Sequence, residues 1–154
     1  MEYSIVDAFA SKPFEGNPAA VFVMDAYPPD RTMQLIAREM NLSETSFVVP
    51  EKGKPGHFRL RWLTPSTEVD LCGHATLAAA KAVFEAGLGS DPEGIVFHTR
   101  SGPLSVSLDS QNPALICLNF PSEPPSPSTS DSSLLFSSVR ILWSQPQTHI
   151  DEKF

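Results

Sequence analysis

The 154-residue sequence has only two cysteines and is short of positive charge, with 11 Lys and Arg against 18 Asp and Glu. Each shortage removes a class of function. The net charge of -7, with no basic run interleaved with aromatics, argues against a nucleic-acid partner, because phosphate binding draws on clustered lysine and arginine. Cys72 and Cys117 lie in apolar surroundings, with no CxxC pair and no His at metal-ligand spacing, which argues against a disulfide scaffold and against a zinc site. No hydrophobic run approaches the roughly 20 residues of a membrane span. The N-terminus, MEYSIVDAFASKPFEGNP, lacks a basic segment followed by an apolar one. The chain therefore reads as soluble and cytoplasmic, with no membrane partner. It contains no internal repeat. With 41% hydrophobic and 19% charged residues, one globular core of ordinary size is expected.

What is present is a series of short alternating segments. YSIVDAF, from Tyr3 to Phe9, and AAVFV, from Ala19 to Val23, read as two strands of a hairpin joined by a loop rich in turn residues. Asp30 is suited to N-cap a helix running to about Met40, because Met33, Ile36, Ala37 and Met40 fall on one helical face. Asn41 suits its end. TSFVV and FRLRWL follow as strands, the second with Phe58, Leu60 and Trp62 alternating against Arg59 and Arg61. GHATLAAAKAVFEA, from Gly73 to about Ala86, is a helix whose alanines permit close packing, with Gly87 placed for a left-handed stop. Short strands recur at IVFHT, LSVSL and ALICLNF. From Pro121 the character changes: PSEPPSPSTSDSS is a linker or tail that buries too little apolar surface to offset its ordering entropy. LLFSSVRILW beyond it is apolar but too short for a domain and has no evident sheet to join.

Two stretches carry candidate chemistry. NLSETSF places Glu44 where a helix pattern has ended and a strand begins. TPSTEVDLCGHATLAAA opens a helix at Gly73 and His74, so the free amides of its first turn form a natural anion site, where a glycine permits close approach and His74 adds a donor. An anion cradle beside one separate carboxylate suits proton movement on a carbon next to an acid group: the cradle stabilises developing charge and Glu44 carries the proton.

DAFASKPFEGNPAAVFV, AREMNLSETSFV, RWLTPSTEVDLCGHATLAAA and SGPLSV, in this order, together resemble the N-terminal half of the phenazine-biosynthesis PhzF-type isomerases over roughly residues 1–121. The resemblance implies an α+β, diaminopimelate-epimerase-like half, a mostly antiparallel sheet wrapped around a central helix, with the active site in a cleft between two such halves. It implies Glu44 as general acid/base and Gly73 and His74 as substrate-binding residues, with Asp7 and Asn17 bordering the pocket. It implies a small carboxylated substrate and neither a metal nor an organic cofactor. Family members run to nearly twice this length, and their second half supplies further active-site groups, including an acidic residue. The expected organisation is thus an epimerase-like domain at 1–121, a Pro/Ser linker at 122–133 and an unmatched tail at 134–154, a truncated product.

Other readings compete at several residues. Asp7 and Asn17 serve equally well as turn or buried hydrogen-bonding residues. Cys72 falls where related epimerases and racemases carry a catalytic thiol, yet no adjacent cation lowers its pKa, so a small buried hydrophobe is the expectation. Glu68 and Asp70 read as solvent-exposed. The function alternative is a catalytically silent half-domain that acts through protein association, homodimerisation included.

Overall fold

Unbroken apolar runs at 19–23 and 47–49 demand two buried faces, and the computed structural model supplies one on each side of a single sheet. It describes residues 2–12, 14–89, 94–112 and 114–120, together with the backbone of 149–153. Strand β1 (Ser4–Ala8) pairs antiparallel with β2 (Asn17–Val23), the expected hairpin. Its loop closes through Gly16, where φ is 96° and a Cβ would meet the Ala8 carbonyl oxygen at 2.3 Å, so only glycine fits. Helix α1 (Asp30–Met40) then returns the chain to β3 (Glu44–Pro50), which lies parallel to β2. Next come β4 (His57–Leu63), the short β5 (Glu68–Val69) and helix α2 (Gly73–Glu85). Strands β6 (Ile95–Thr99), β7 (Gly102–Leu108) and β8 (Leu115–Asn119) complete the unit. The sheet order is β1-β2-β3-β4-β6-β7-β8, with β5 paired to β4. All described neighbours run antiparallel except β2 with β3 and β4 with β6.

Period-two alternation divides the core. Ala19 and Val21 of β2, with Val48, Phe58, Leu60 and Trp62, face α2, whereas Ala20 and Phe22, with Phe47 and Leu63, face Met33 and Ala37 of α1. Helix α2 is buried over most of its circumference: Ala75 to Ala80, Ala82 and Val83 are all buried, and Lys81 and Glu85 mark its wet side. Residues as far apart in the sheet as Ala8 of β1 and Leu118 of β8 pack into the same core as α2, so the sheet curls around that helix. This is the α+β wrap expected of an epimerase-like half. Alanine makes it possible, because small side chains let the strands close on the helix backbone.

The helix ends follow local chemistry, with one correction. Asn41 closes α1 in the left-handed conformation (φ 53°, ψ 31°), as expected. Helix α2 stops at Gly87, where the Gly87 amide bonds the Phe84 carbonyl and the Leu88 amide bonds that of Val83. Asp30, however, is not the cap of α1. Pro29, extended at φ -52° and ψ 143°, occupies that position, its carbonyl accepts from the Thr32 and Met33 amides, and Asp30 is already helical. The Asp30 carboxylate is held instead by Arg61 Nη1 at 2.8 Å.

A second correction concerns Glu68, which is only 17% exposed: both its oxygens accept from Arg61, at 2.7 Å each. Asp70 is exposed, as expected. The paired guanidinium, above all by hydrogen bonding, holds the Glu68 carboxyl below its ordinary 4.5. A carboxyl whose folded pKa is depressed stabilises the fold above the ordinary value, and that contribution disappears as pH falls through the folded value. Glu68→Gln is therefore expected to lower the melting temperature most near neutrality and progressively less in acid. Thermal unfolding across the acid range checks this; a pH-independent difference would assign the loss to packing alone.

Beyond β8, a strand β9 (His149–Lys153) runs antiparallel to it. The sequence pattern did not mark this strand. Edge pairing uses backbone groups and asks little of side chains. The Pro/Ser stretch at 122–133 and the apolar stretch at 134–143 lie outside the described residues. Among the described residues, no helix is long and apolar enough to cross a membrane.

Candidate active site

The parallel pairing of β2 with β3 brings the starts of both strands to one end of the sheet, with Ala19 beside Glu44. The start of α2 is tied to the same place. Ser46 Oγ, buried on β3, donates to the Ala75 carbonyl at 2.9 Å, and Thr76 Oγ1 bonds the Cys72 carbonyl. Glu44 is thereby set against the first turn of the helix.

There His74 is the centre of a small polar group. Its Nε2 lies 3.3 Å from Glu44 Oε2 and 3.3 Å from Ser43 Oγ, and Ser43 Oγ donates to Asn17 Oδ1 at 3.5 Å. On the other side of the ring, Nδ1 lies 3.4 Å from Cys72 Sγ. The His74 side chain is 10% exposed and that of Glu44 19%, so both are shielded yet reachable. Burial lowers the His74 pKa, against the opposing pull of Glu44, so at neutral pH the ring is uncharged. One tautomer satisfies every neighbour. Nε2 carries the proton and donates to the Glu44 carboxylate or Ser43 Oγ, leaving Nδ1 to accept from the Cys72 thiol. That thiol is protonated at neutral pH, because burial, with a smaller push from Glu44, raises it to about 11.

Helix α2 starts at this group without a side-chain cap and without an acidic residue in its first turn. The Gly73 and His74 amides have no protein acceptor among the described residues. A Cβ on Gly73 would meet nothing within 4 Å, so the side-chain position of Gly73 at the helix start is open. An anion placed there would take both amides and the positive end of the helix dipole.

The structure thus assembles Asn17, Glu44, Gly73 and His74 from three segments. Asp7 is not among them. Its Oδ2 accepts the Phe14 amide at 3.1 Å, holding the β1–β2 loop, and the residue lines a separate cavity of about 300 Å³ with Lys12, Lys81 and Glu85. Sequence reasoning missed two members. Ser43 sits in the NLSET stretch, but nothing there reveals that His74 folds back onto it. Cys72 does have a histidine neighbour, contrary to the sequence reading: the extended backbone at Cys72 (φ -152°) and the turn into α2 bring His74, two residues on, against the sulfur. Glu44, Cys72 and His74 present donor atoms all within 4.8 Å of one another.

Comparison with known proteins agrees with this architecture. The family model described as "Phenazine biosynthesis-like protein" matches residues 6–151. An uncharacterized isomerase of Pseudomonas aeruginosa is 48% identical over 137 residues, covering 88% of this chain and 50% of its own length. The crystal structure of a PhzF-family phenazine biosynthesis protein from Enterococcus faecalis superposes with a TM-score of 0.68 at 43% identity, over 79% of this chain and 47% of that one. A hydroxyproline epimerase of Agrobacterium vitis, at 13% identity and a TM-score of 0.52 over 75% of this chain and 40% of its own, shares the fold. The chain spans about half the length of the curated relatives it matches. With a matched family model across most of its length and the wrapped-helix fold of that family's solved structures, the chain belongs to the phenazine biosynthesis-like family.

Proposed function

We propose that this chain carries one half of an isomerase site that moves a proton on a small carboxylated substrate, with Glu44 as the general acid/base. The observation that carries the reading is the Glu44 carboxylate, 3.3 Å from His74 Nε2, beside the uncapped start of a buried helix. The substrate carboxylate docks on the Gly73 and His74 amides. Glu44 takes a proton from the neighbouring or allylic carbon, and the electron pair left behind delocalises toward the docked carboxylate. The protonated Glu44 then returns the proton, on the same face, to the other end of the delocalised anion; delivery to the opposite face would need a second acid. Neutral His74, through Nε2–H, orients the carboxylate of Glu44. The isomerase name of the Pseudomonas relative supports the reaction class.

The half-site is testable in this chain by itself. Titration with a small dicarboxylate such as malonate is expected to shift the Gly73 and His74 amide signals first, and His74→Ala to weaken the effect. Shifts confined to surface lysines would remove the cradle.

The raised thiol pKa carries a second expectation. A thiol at about 11 is a poor proton acceptor at neutral pH, so Cys72→Ser should change carbon-proton exchange by less than about threefold. A loss as large as that caused by removing Glu44 would turn the mechanism toward thiol chemistry.

A further inference from the structure

A second polar group lies at the opposite end of β3. From Glu44 to Glu51 the chain advances seven residues, about 23 Å in extended conformation, so this group is separate from the candidate active site. Glu51 follows the last residue of β3, and its amide bonds the His57 carbonyl at 2.8 Å across the turn to β4. Parallel pairing of β4 with β6 sets His57 beside Val96 and Arg59 beside His98. His57 and His98 therefore occupy one face of the sheet, opposite the one through which Phe58 and Phe97 join the α2 core.

Their geometry is that of a ligand set. His57 Nδ1 is 3.0 Å from His98 Nε2, which is 3.3 Å from Glu51 Oε2, and donor atoms of all three lie within 4.8 Å of one another. The two rings stack with centroids 5.2 Å apart. Glu51 Oε2 is buried and has no hydrogen-bond partner among the described residues, although Lys54 Nζ stands 3.3 Å away. Zinc holds imidazole nitrogen and carboxylate oxygen at about 2.0–2.2 Å, so adjacent ligand atoms lie about 2.8–3.6 Å apart from octahedral to tetrahedral geometry. The observed 3.0 and 3.3 Å both fall in that interval.

We propose that Glu51, His57 and His98 form a binding site for a divalent transition-metal ion of the zinc class, with water completing the coordination. Two imidazoles and one carboxylate suit zinc better than magnesium or calcium, which prefer oxygen donors. The three donors come from the β3–β4 turn, the first residue of β4 and β6, so the ion would pin the turn to two neighbouring strands. Lys54 is the resident counter-charge of Glu51, and its largely exposed side chain is free to swing away when the metal enters.

Zinc titration of the full chain carrying Cys72→Ser, which removes the thiol of the other donor group, tests the site. Calorimetry should show one ion bound at about micromolar concentration, with the ring signals of His57 and His98 shifting in NMR and the melting temperature rising. His57→Ala and His98→Ala should each weaken binding by more than about tenfold. Lys54→Gln should strengthen it, because a competing cation is gone. Glu51→Gln keeps size and shape and decides the matter if a histidine variant does not fold: it too should lose affinity. Zinc binding that is unchanged by Glu51→Gln, or no saturation below about millimolar zinc, would overturn the proposal.

Discussion

Glu44→Gln is expected to reduce carbon-proton exchange by about a hundredfold or more while leaving the fold intact. A positioned general acid/base contributes about 10²- to 10⁴-fold, and glutamine keeps the side-chain shape while removing the titrating oxygen. The fold should survive, because Glu44 stands at the start of β3 and the backbone pairing of Ala19 with Glu44 does not involve its carboxylate. His74 Nε2–H also retains an acceptor in the glutamine oxygen or in Ser43 Oγ, at 3.3 Å. The curated relatives are about twice as long as this chain. Exchange is therefore best measured both on the chain and on a chimera joining residues 1–120 to the half of the Pseudomonas relative that the alignment leaves uncovered. Deuterium uptake from D2O into a panel of small carboxylates is followed by NMR or mass spectrometry. Uptake in the chimera that survives Glu44→Gln at its original rate would remove Glu44 from the mechanism.

The largest stability effect is expected at Trp62, where alanine should cost about 3–5 kcal/mol, the usual range for emptying a large buried aromatic site. Domains of this size have about 5–15 kcal/mol in total, so the variant stands near the limit of folding. Trp62 is 1% exposed and is the largest fully buried side chain of the core. It also lies opposite Ser46 in the β3–β4 register, and Ser46 anchors the first turn of α2 through the Ala75 carbonyl. A cavity there loosens the seat of His74 as well as the core. Trp62→Phe supplies the contrast. The indole Nε1 is buried without a hydrogen-bond partner among the described residues, so phenylalanine removes an unsatisfied donor along with some volume. Its cost should stay well below that of alanine. Urea unfolding followed by circular dichroism measures both variants. Equal losses would mean that the indole N–H is satisfied, and a loss under about 1 kcal/mol for alanine would mean that the core closes over the gap.

Local patterning in the sequence determined most of the elements. Period-two alternation marked β4 through Phe58, Leu60 and Trp62, the helical face of α1 was set by Met33 and Ala37, and Asn41 and Gly87 stopped the helices by adopting backbone conformations they tolerate. These features depend on near neighbours, so a linear reading reaches them. Glu44, Gly73, His74 and Asn17 could be named as candidates, from chemistry at an element boundary together with a family resemblance, and the structure brings them to one place. Tertiary structure alone decided the rest. Glu68 reads as a surface charge until the β4–β5 pairing lays it against Arg61, and the contact of the Asp7 carboxylate with the Phe14 amide exists only once the β1–β2 loop has folded. Ser43 and Cys72 gained roles only when His74 turned back between them, and the three residues of the proposed metal site, 47 positions apart at their extremes (51 to 98), met only through the parallel pairing of β4 with β6. Such contacts arise from strand register and from the helix that the sheet encloses. No short stretch of sequence encodes which distant partner will face a given side chain.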